Sequence, residues 1–223
     1  MELVTLVCSP TAYQELALGL LMSEGLITSY DEIKQVNYNE ADGLLWINTR
    51  FEIKRTENFL RRNITSCCGK GRASLYFVND AHCLKPVDSP VTFTPQHLVK
   101  LIAMQEEKSF TFRKTGGVHS ASLGDKEGII AMYEDIGRHN AVDKVLGHIL
   151  INSIAPQDKC LLLTGRISSE IFIKAAHAGI PMVVSRSAPT QLAIDLADQL
   201  GIAVVGFARD NRLSVYSHTD KVT

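Results

Sequence analysis

The chain has 223 residues, 45% of them hydrophobic, enough to bury a sizeable core as one large domain or two small ones without covalent staples. A formal net charge of −1 argues against a general nucleic-acid or membrane-surface binder, which would carry a charge excess over much of its surface. Five cysteines (Cys8, Cys67, Cys68, Cys83 and Cys160), odd in number and irregular in spacing, do not form a secreted disulfide framework and fit a reducing cytoplasm.

No run of about 18 apolar residues occurs, and no basic stretch followed by an apolar core opens the chain, so a soluble, unexported protein is expected. Leu3–Val7 reads as a strand already under way at Met1, which suggests that natural residues precede it. Ser9-Pro10-Thr11 offers a helix start, Leu16, Leu20 and Leu21 space an apolar face, and Gly25 is the expected stop. Lys34–Asn39 and Leu44–Thr49 are predicted strands around the turn at Asp42-Gly43.

Ser66-Cys67-Cys68-Gly69-Lys70-Gly71-Arg72 follows, placing two adjacent thiols in a glycine-loosened loop flanked by cations. Neighbouring Cα atoms lie ~3.8 Å apart, whereas relaxed disulfides want ~4.4–6.8 Å, so the pair is a poor structural staple. Lys70 and Arg72 favour a thiolate, the form that attacks electrophilic sulfur or holds a metal. The bland alternative is two small residues in a turn. Residues 79–93, with Pro86, Pro90, Asn79-Asp80 and Asp88-Ser89, are the best linker candidate, and a domain boundary is placed there, between 1–88 and 89–223.

From Thr94-Pro95 the pattern becomes regular. A helix carries Leu98, Leu101 and Ile102 inward, and strands are predicted at Phe110–Arg113, Val118–Leu123 and Ile129–Tyr133. Val142, Val145, Leu146, Ile149 and Leu150 mark an amphipathic helix from near His139, with Asp143 and Lys144 on its polar side. Next come strand Cys160–Leu163, helix Ser169–Ala178, strand Met182–Val184, helix Thr190–Leu200, strand Ile202–Gly206 and a closing edge strand Leu213–Tyr216. Short apolar strands separated by helices imply an α/β fold with parallel pairing, buried on both faces.

Arginines cluster where those strands end: Thr164-Gly165-Arg166, Ser185-Arg186-Ser187 and Gly206-Phe207-Ala208-Arg209, with Arg138 and Arg212 beside them. Ligands of open α/β sheets bind at the carboxyl ends of strands, where helix N-termini add N–H donors and guanidinium groups match phosphate. A polyanionic small molecule is the expected ligand; pairing with Glu134, Asp135, Glu170 or Asp210 is the alternative for each arginine. Thr115-Gly116-Gly117-Val118-His119-Ser120-Ala121 supplies a glycine pair that admits close backbone approach, and a histidine. Glu134-Asp135-Ile136-Gly137-Arg138-His139-Asn140 sets acidic, basic and amide groups at a strand-to-helix turn, which equally suits a helix cap.

Together these stretches resemble the FdhD/NarQ family of formate dehydrogenase accessory sulfurtransferases. The resemblance rests on the Cys loop, TGGVHSA at 115–121, EDIGRHNAVDK at 134–144, TGR at 164–166, AGIP at 178–181, SAP at 187–189 and GFARDNR at 206–212, and it runs over nearly the whole chain. It implies a three-layer α/β/α domain with a mixed sheet, similar to cytidine deaminase, preceded by a smaller α/β domain. It implies that sulfur is accepted from a cysteine desulfurase as a cysteine persulfide and passed to the molybdenum cofactor of formate dehydrogenase. It also implies binding of bis-molybdopterin guanine dinucleotide, with GDP as a mimic, and a homodimer. By position Cys68 takes the persulfide role. Many family members carry Cys-Gly-x-Cys here, but Gly71 stands where the second cysteine would be, and Cys67 is the candidate replacement. Cofactor binding carries over to Phe207, Ala208, Arg209, Asp210, Asn211 and Arg212, and to Gly116, Gly117, His119, Arg138, His139, Thr164, Gly165, Arg166 and Ser187.

Two other functional classes compete with this reading. A zinc deaminase needs His-x-Glu and Pro-Cys-x-x-Cys; His119-Ser120-Ala121 lacks the glutamate and the second motif is absent, so no structural metal is expected. A non-catalytic cofactor chaperone would use the arginines but no thiol.

Overall fold

The structure is a computed structural model that describes residues 2–52 and 84–223. The Cys67–Cys68 loop and the first part of the expected linker lie outside the described residues.

Among the described residues, six strands form the main sheet: β3 (His119–Gly124), β4 (Ile129–Asp135), β5 (Cys160–Leu163), β6 (Met182–Ser185), β7 (Ala203–Arg209) and β8 (Arg212–Ser217), in the order β4-β3-β5-β6-β7-β8. Strands β5, β6 and β7 pair in parallel, as their unbroken apolar character requires. Strand β3 is antiparallel to both neighbours and β8 to β7, so the sheet is mixed. β1 (Ile33–Asn39) and β2 (Leu44–Thr49) form a separate hairpin.

The two-residue alternation of β5 divides the core. Leu161 and Leu163 pack with Val145 and Leu146 of α4 (Arg138–Ile151), Phe172 of α5 (Ser169–His177) and Leu196 of α6 (Gln191–Leu200). Cys160 and Leu162 face Leu98, Leu101 and Ile102 of α2 (Pro95–Lys108) on the other side. Helices α2, α5 and α6 start where their sequences signal it: Thr94, Ser168 and Thr190 each accept an N–H of the first turn, with Pro95 in the first turn of α2.

Three expectations are corrected. Residues 3–7 form no strand; Val7 O instead accepts from Asn140 Nδ2, and neighbouring Ser9 N donates to Asp135, so side chains of the α4 entry meet this backbone where a partner strand would. Residues Phe110–Thr115 are a short helix, α3, rather than a strand. Its first free N–H groups, from Thr111 and Phe112, donate to the Glu134 carboxylate at 3.0 and 2.8 Å, a cap supplied by a residue more than twenty positions away. Finally, Asp143 and Lys144 do not lie on a solvated face: they are 2% and 0% exposed.

That burial comes from α1 (Tyr13–Ser23), which lies on α4 with backbone against backbone. A Cβ on Gly19 would fall 1.7 Å from Asp143 O, and one on Gly147 1.9 Å from Glu15 O. Charges sealed beneath such a contact must be paired. Lys144 Nζ reaches Asp135 at 2.7 Å, and Lys174 Nζ from α5 reaches both Asp143 oxygens at 2.6 and 2.8 Å and Ser23 Oγ at 2.7 Å. Among the described residues, no helix is long and apolar enough to cross a membrane.

Candidate functional site: an arginine rim at one edge of the sheet

The ends of β4, β5, β6 and β7 and the starts of β3 and β8 share one edge of the sheet. Hydrogen bonds tie the loops there into one rim. Ser120 N donates to Thr164 Oγ1 at 2.9 Å, and Thr164 N donates back to Ser120 O at 3.1 Å. Ser185 Oγ donates to Gly165 O at 2.6 Å and accepts from Ser187 N at 2.9 Å. Phe207 N in turn donates to Ser187 O at 3.1 Å. Ser185, a polar residue closing an apolar strand, is a rim-builder that the motif reading passed over.

Gly165 brings the distant motifs together: a Cβ there would lie 3.2 Å from His119 Nδ1 and 3.8 Å from Arg138 Cβ. His119 is half-buried, and burial, followed by the positive Arg138 and His139, pushes its pKa below the ordinary histidine value. His139 Nε2 pairs with Glu170 Oε2 at 3.2 Å. That hydrogen bond, reinforced by the charges of His139, Arg138 and Lys174, holds the Glu170 carboxyl below its usual range despite partial burial.

The His119 shift has a consequence for stability. The unfolded imidazole titrates near 6.5 and the folded one lower, so between these values the unfolded chain binds more protons. This contribution is fully present above 6.5, is lost as pH falls through the folded value, and levels off below it. His119→Gln is expected to flatten that part of the acid-side slope when urea midpoints are compared at about pH 7.5 and about pH 5. An unchanged slope would show that His119 is not the responsible group.

Three of the four carboxylates that could neutralise the arginines are occupied elsewhere. Glu134 caps α3; Asp135 Oδ1 accepts from Gly137 N and Asn140 Nδ2 while Oδ2 pairs with Lys144; Glu170 holds His139. No described carboxylate pairs with Arg138, Arg166, Arg209 or Arg212, and the buried Nε of Arg138 has no hydrogen-bond partner. Arg186 differs: its Nε binds Glu106 of α2 at 2.9 Å, which removes it from the five expected to converge. The remaining four line an edge rather than a point, since strand spacing puts the ends of β5 and β7 roughly 10 Å apart.

At the β7–β8 end, Phe207, Arg209, Asp210, Arg212, Leu213 and Ser214 line an open cleft of about 410 Å³. Asp210 and Asn211 form the two-residue hairpin turn, with φ of 50° and 58°. Ala208 is fully buried among the core residues under α2, so it supports the segment without facing the cleft. Gly116 ends α3 at φ 61°, and Gly117 N donates to Thr115 Oγ1; this glycine pair makes a helix exit beside β3.

Comparison with known proteins matches this architecture. A profile of the FdhD/NarQ family matches residues 1–223. The chain is 42% identical over 222 residues to a sulfur carrier protein FdhD of Bacillus subtilis, covering 99% of this chain and 84% of that protein. It is 42% identical to the Listeria innocua protein of the same name, over 100% of this chain and 86% of that one. In three dimensions it is similar to a crystal structure from Desulfotalea psychrophila described as a formate dehydrogenase accessory protein, with TM-score 0.79 and 24% identity over 97% of this chain and 82% of that one. With a family match along its whole length and near-full-length relatives above 40% identity, the chain belongs to the FdhD/NarQ family.

Proposed function

We propose that this protein is a sulfur carrier for formate dehydrogenase. It takes persulfide sulfur from a cysteine desulfurase onto Cys68 and delivers it to bis-molybdopterin guanine dinucleotide held along the arginine rim. The observation that carries the reading is the set of four arginines, none salt-bridged to a described carboxylate, at the strand ends of a chain with near-zero net charge. The names of its relatives support the sulfur role. A cytidine deaminase-like layering of residues 89–223, a smaller unit over 1–88, a homodimer and a cytoplasmic location belong to the same reading.

In the loading step the Cys68 thiolate attacks the terminal sulfur of the desulfurase persulfide. A new S–S bond forms, the old one breaks, and the desulfurase thiolate leaves. For delivery, the arginines of the rim would hold the cofactor as substrate, and its reduced metal would supply the two electrons that take the transferred outer sulfur from the sulfane to the sulfide level, with the Cys68 thiolate as the leaving group. Two other thiols are poorly suited to this. Cys160 is 0% exposed, and burial and Asp125 raise its pKa far above the ordinary cysteine value. Burial and Asp135 likewise raise that of Cys8.

The test is intact-mass analysis after incubation with a desulfurase and cysteine, where a gain of one sulfur atom is expected. Alkylation of the thiols should abolish that gain and the activation of formate dehydrogenase; activation that survives alkylation would mark a chaperone that uses no thiol.

The rim is checked by nucleotide titration. A charge-assisted hydrogen bond contributes about 1.5–3 kcal/mol, so Arg209→Ala should weaken GDP binding by roughly 10- to 100-fold. Unchanged affinity by calorimetry would remove Arg209 from the site.

A further inference from the structure

His119 opens β3, three places from β7 in the sheet order, and its half-buried ring stands among cations. Nδ1 borders Gly165, where an added Cβ would lie 3.2 Å from it and 3.8 Å from Arg138 Cβ. Arg138 and His139 come from the first turn of α4, and Arg166 from the loop after β5. The carboxylates of the neighbouring elements are all engaged by other groups. Asp135, directly across from His119 in β4, is buried with Lys144, Gly137 N and Asn140; Glu134 caps α3; Glu170 of α5 holds His139. On the α3 side, Arg113 donates to Glu107 O and Lys114 lies over the Phe110 ring. No described residue hydrogen-bonds the His119 ring, and Arg138 Nε is buried without a partner.

A histidine so placed does not hold a second proton unaided. Burial and two positive neighbours act against the imidazolium, and no carboxylate supports it. An anion set against Arg138 reverses that balance, because it cancels the field of the cations and gives the unpartnered donors an acceptor. We infer that His119 couples ligand capture to a proton: neutral in the empty rim, it becomes an imidazolium as an anionic ligand seats against Arg138, and it sheds the proton on release. The coupling is reciprocal, so a ligand that charges His119 binds more tightly where the proton is easier to obtain. The empty site titrates below the ordinary histidine value and the occupied site above the empty one. Affinity is therefore highest below the empty-site value, falls by up to about tenfold per pH unit between the two, and is flat above the occupied-site value. This inference rests on the reading of the rim as an anion site and adds the regulation of that site.

The test titrates GDP into the full chain between about pH 6 and about pH 8, by calorimetry in buffers of different ionisation enthalpy, while NMR follows the His119 ring. On the wild type, GDP should move the His119 titration upward by about one pH unit or more. The terminal phosphate of GDP itself titrates near pH 6, so the proton count is read against His119→Gln, in which the phosphate is unchanged. Near pH 6.5 the wild type should take up about one proton per GDP more than that variant. Its affinity advantage over the variant should also grow by about 3- to 10-fold from about pH 7.5 to about pH 6.5. His119→Lys carries its charge throughout this range and should bind GDP without the excess uptake, at the affinity the wild type reaches in acid. A His119 titration that GDP leaves in place, or equal proton counts in the wild type and His119→Gln, would overturn the coupling while leaving the rim as an anion site. The NMR readout uses the wild type alone, so it decides even where a variant fails to fold. Failure of GDP to bind at any pH would overturn the rim reading and this inference with it.

Discussion

Cys68→Ala is expected to abolish sulfur loading altogether, because alanine removes the atom that forms the new S–S bond. The alternatives are restricted by chemistry. Cys160 is sealed in the core, and burial and Asp135 raise the pKa of the Cys8 thiol, so both disfavour the thiolate that Lys70 and Arg72 favour beside Cys68. Cys67→Ala should give a milder loss, since only proximity gives that residue a role. Intact-mass measurement after desulfurase treatment, followed by peptide mapping, decides the matter; added sulfur found on Cys67 or on Cys8 would refute the assignment.

Asp143→Ala should produce the largest loss of stability among single changes away from the rim. Lys174 Nζ lies 2.6 Å from Asp143 beneath the α1–α4 contact, and removal of the aspartate leaves an unpaired charge whose remaining hydrogen-bond partner among the described residues is Ser23. Breaking a buried pair from one side costs about 3–5 kcal/mol. For a chain of this length that corresponds to a fall of roughly 6–20 °C in Tm. Adding Lys174→Met to the same protein should restore much of the loss, because a hydrophobic side chain of similar reach leaves no charge to desolvate. A drop of only about 1 kcal/mol for Asp143→Ala would show that Lys174 sheds its proton or reaches water instead.

The buried pairs also mark the limit of what local patterns reveal. Asp143 and Lys144 follow a helical apolar stripe and read as its polar side; their burial depends on α1, contributed by residues 120 or more positions earlier, and on Lys174 arriving from α5. Nothing within one helical window encodes that lid. The same holds for Phe110–Thr115, whose aromatic and threonine content suits a strand until Glu134 captures two amides of its first turn. Leu3–Val7 is apolar enough for a strand, but a strand needs a partner backbone, and Asn140 and Asp135 meet this segment instead.

What the sequence determined by itself was whatever depends on neighbours in the chain: the order of strands and helices from Val118 onward, the helices expected after Thr94-Pro95, from Ser169 and from Thr190, the unbroken apolar strands that pair in parallel, and the family motifs at the strand ends. Those are local free-energy preferences, and periodicity records them. Only the tertiary structure decided which charges are free. Arg186 and Arg138 both sit beside small residues at strand-end turns, yet Arg186 is neutralised by Glu106 of α2 while Arg138 keeps a buried Nε without a partner. Whether a charge is available to a ligand is settled by what lies across from it in space, and that partner comes from another element whose position the intervening sequence does not encode.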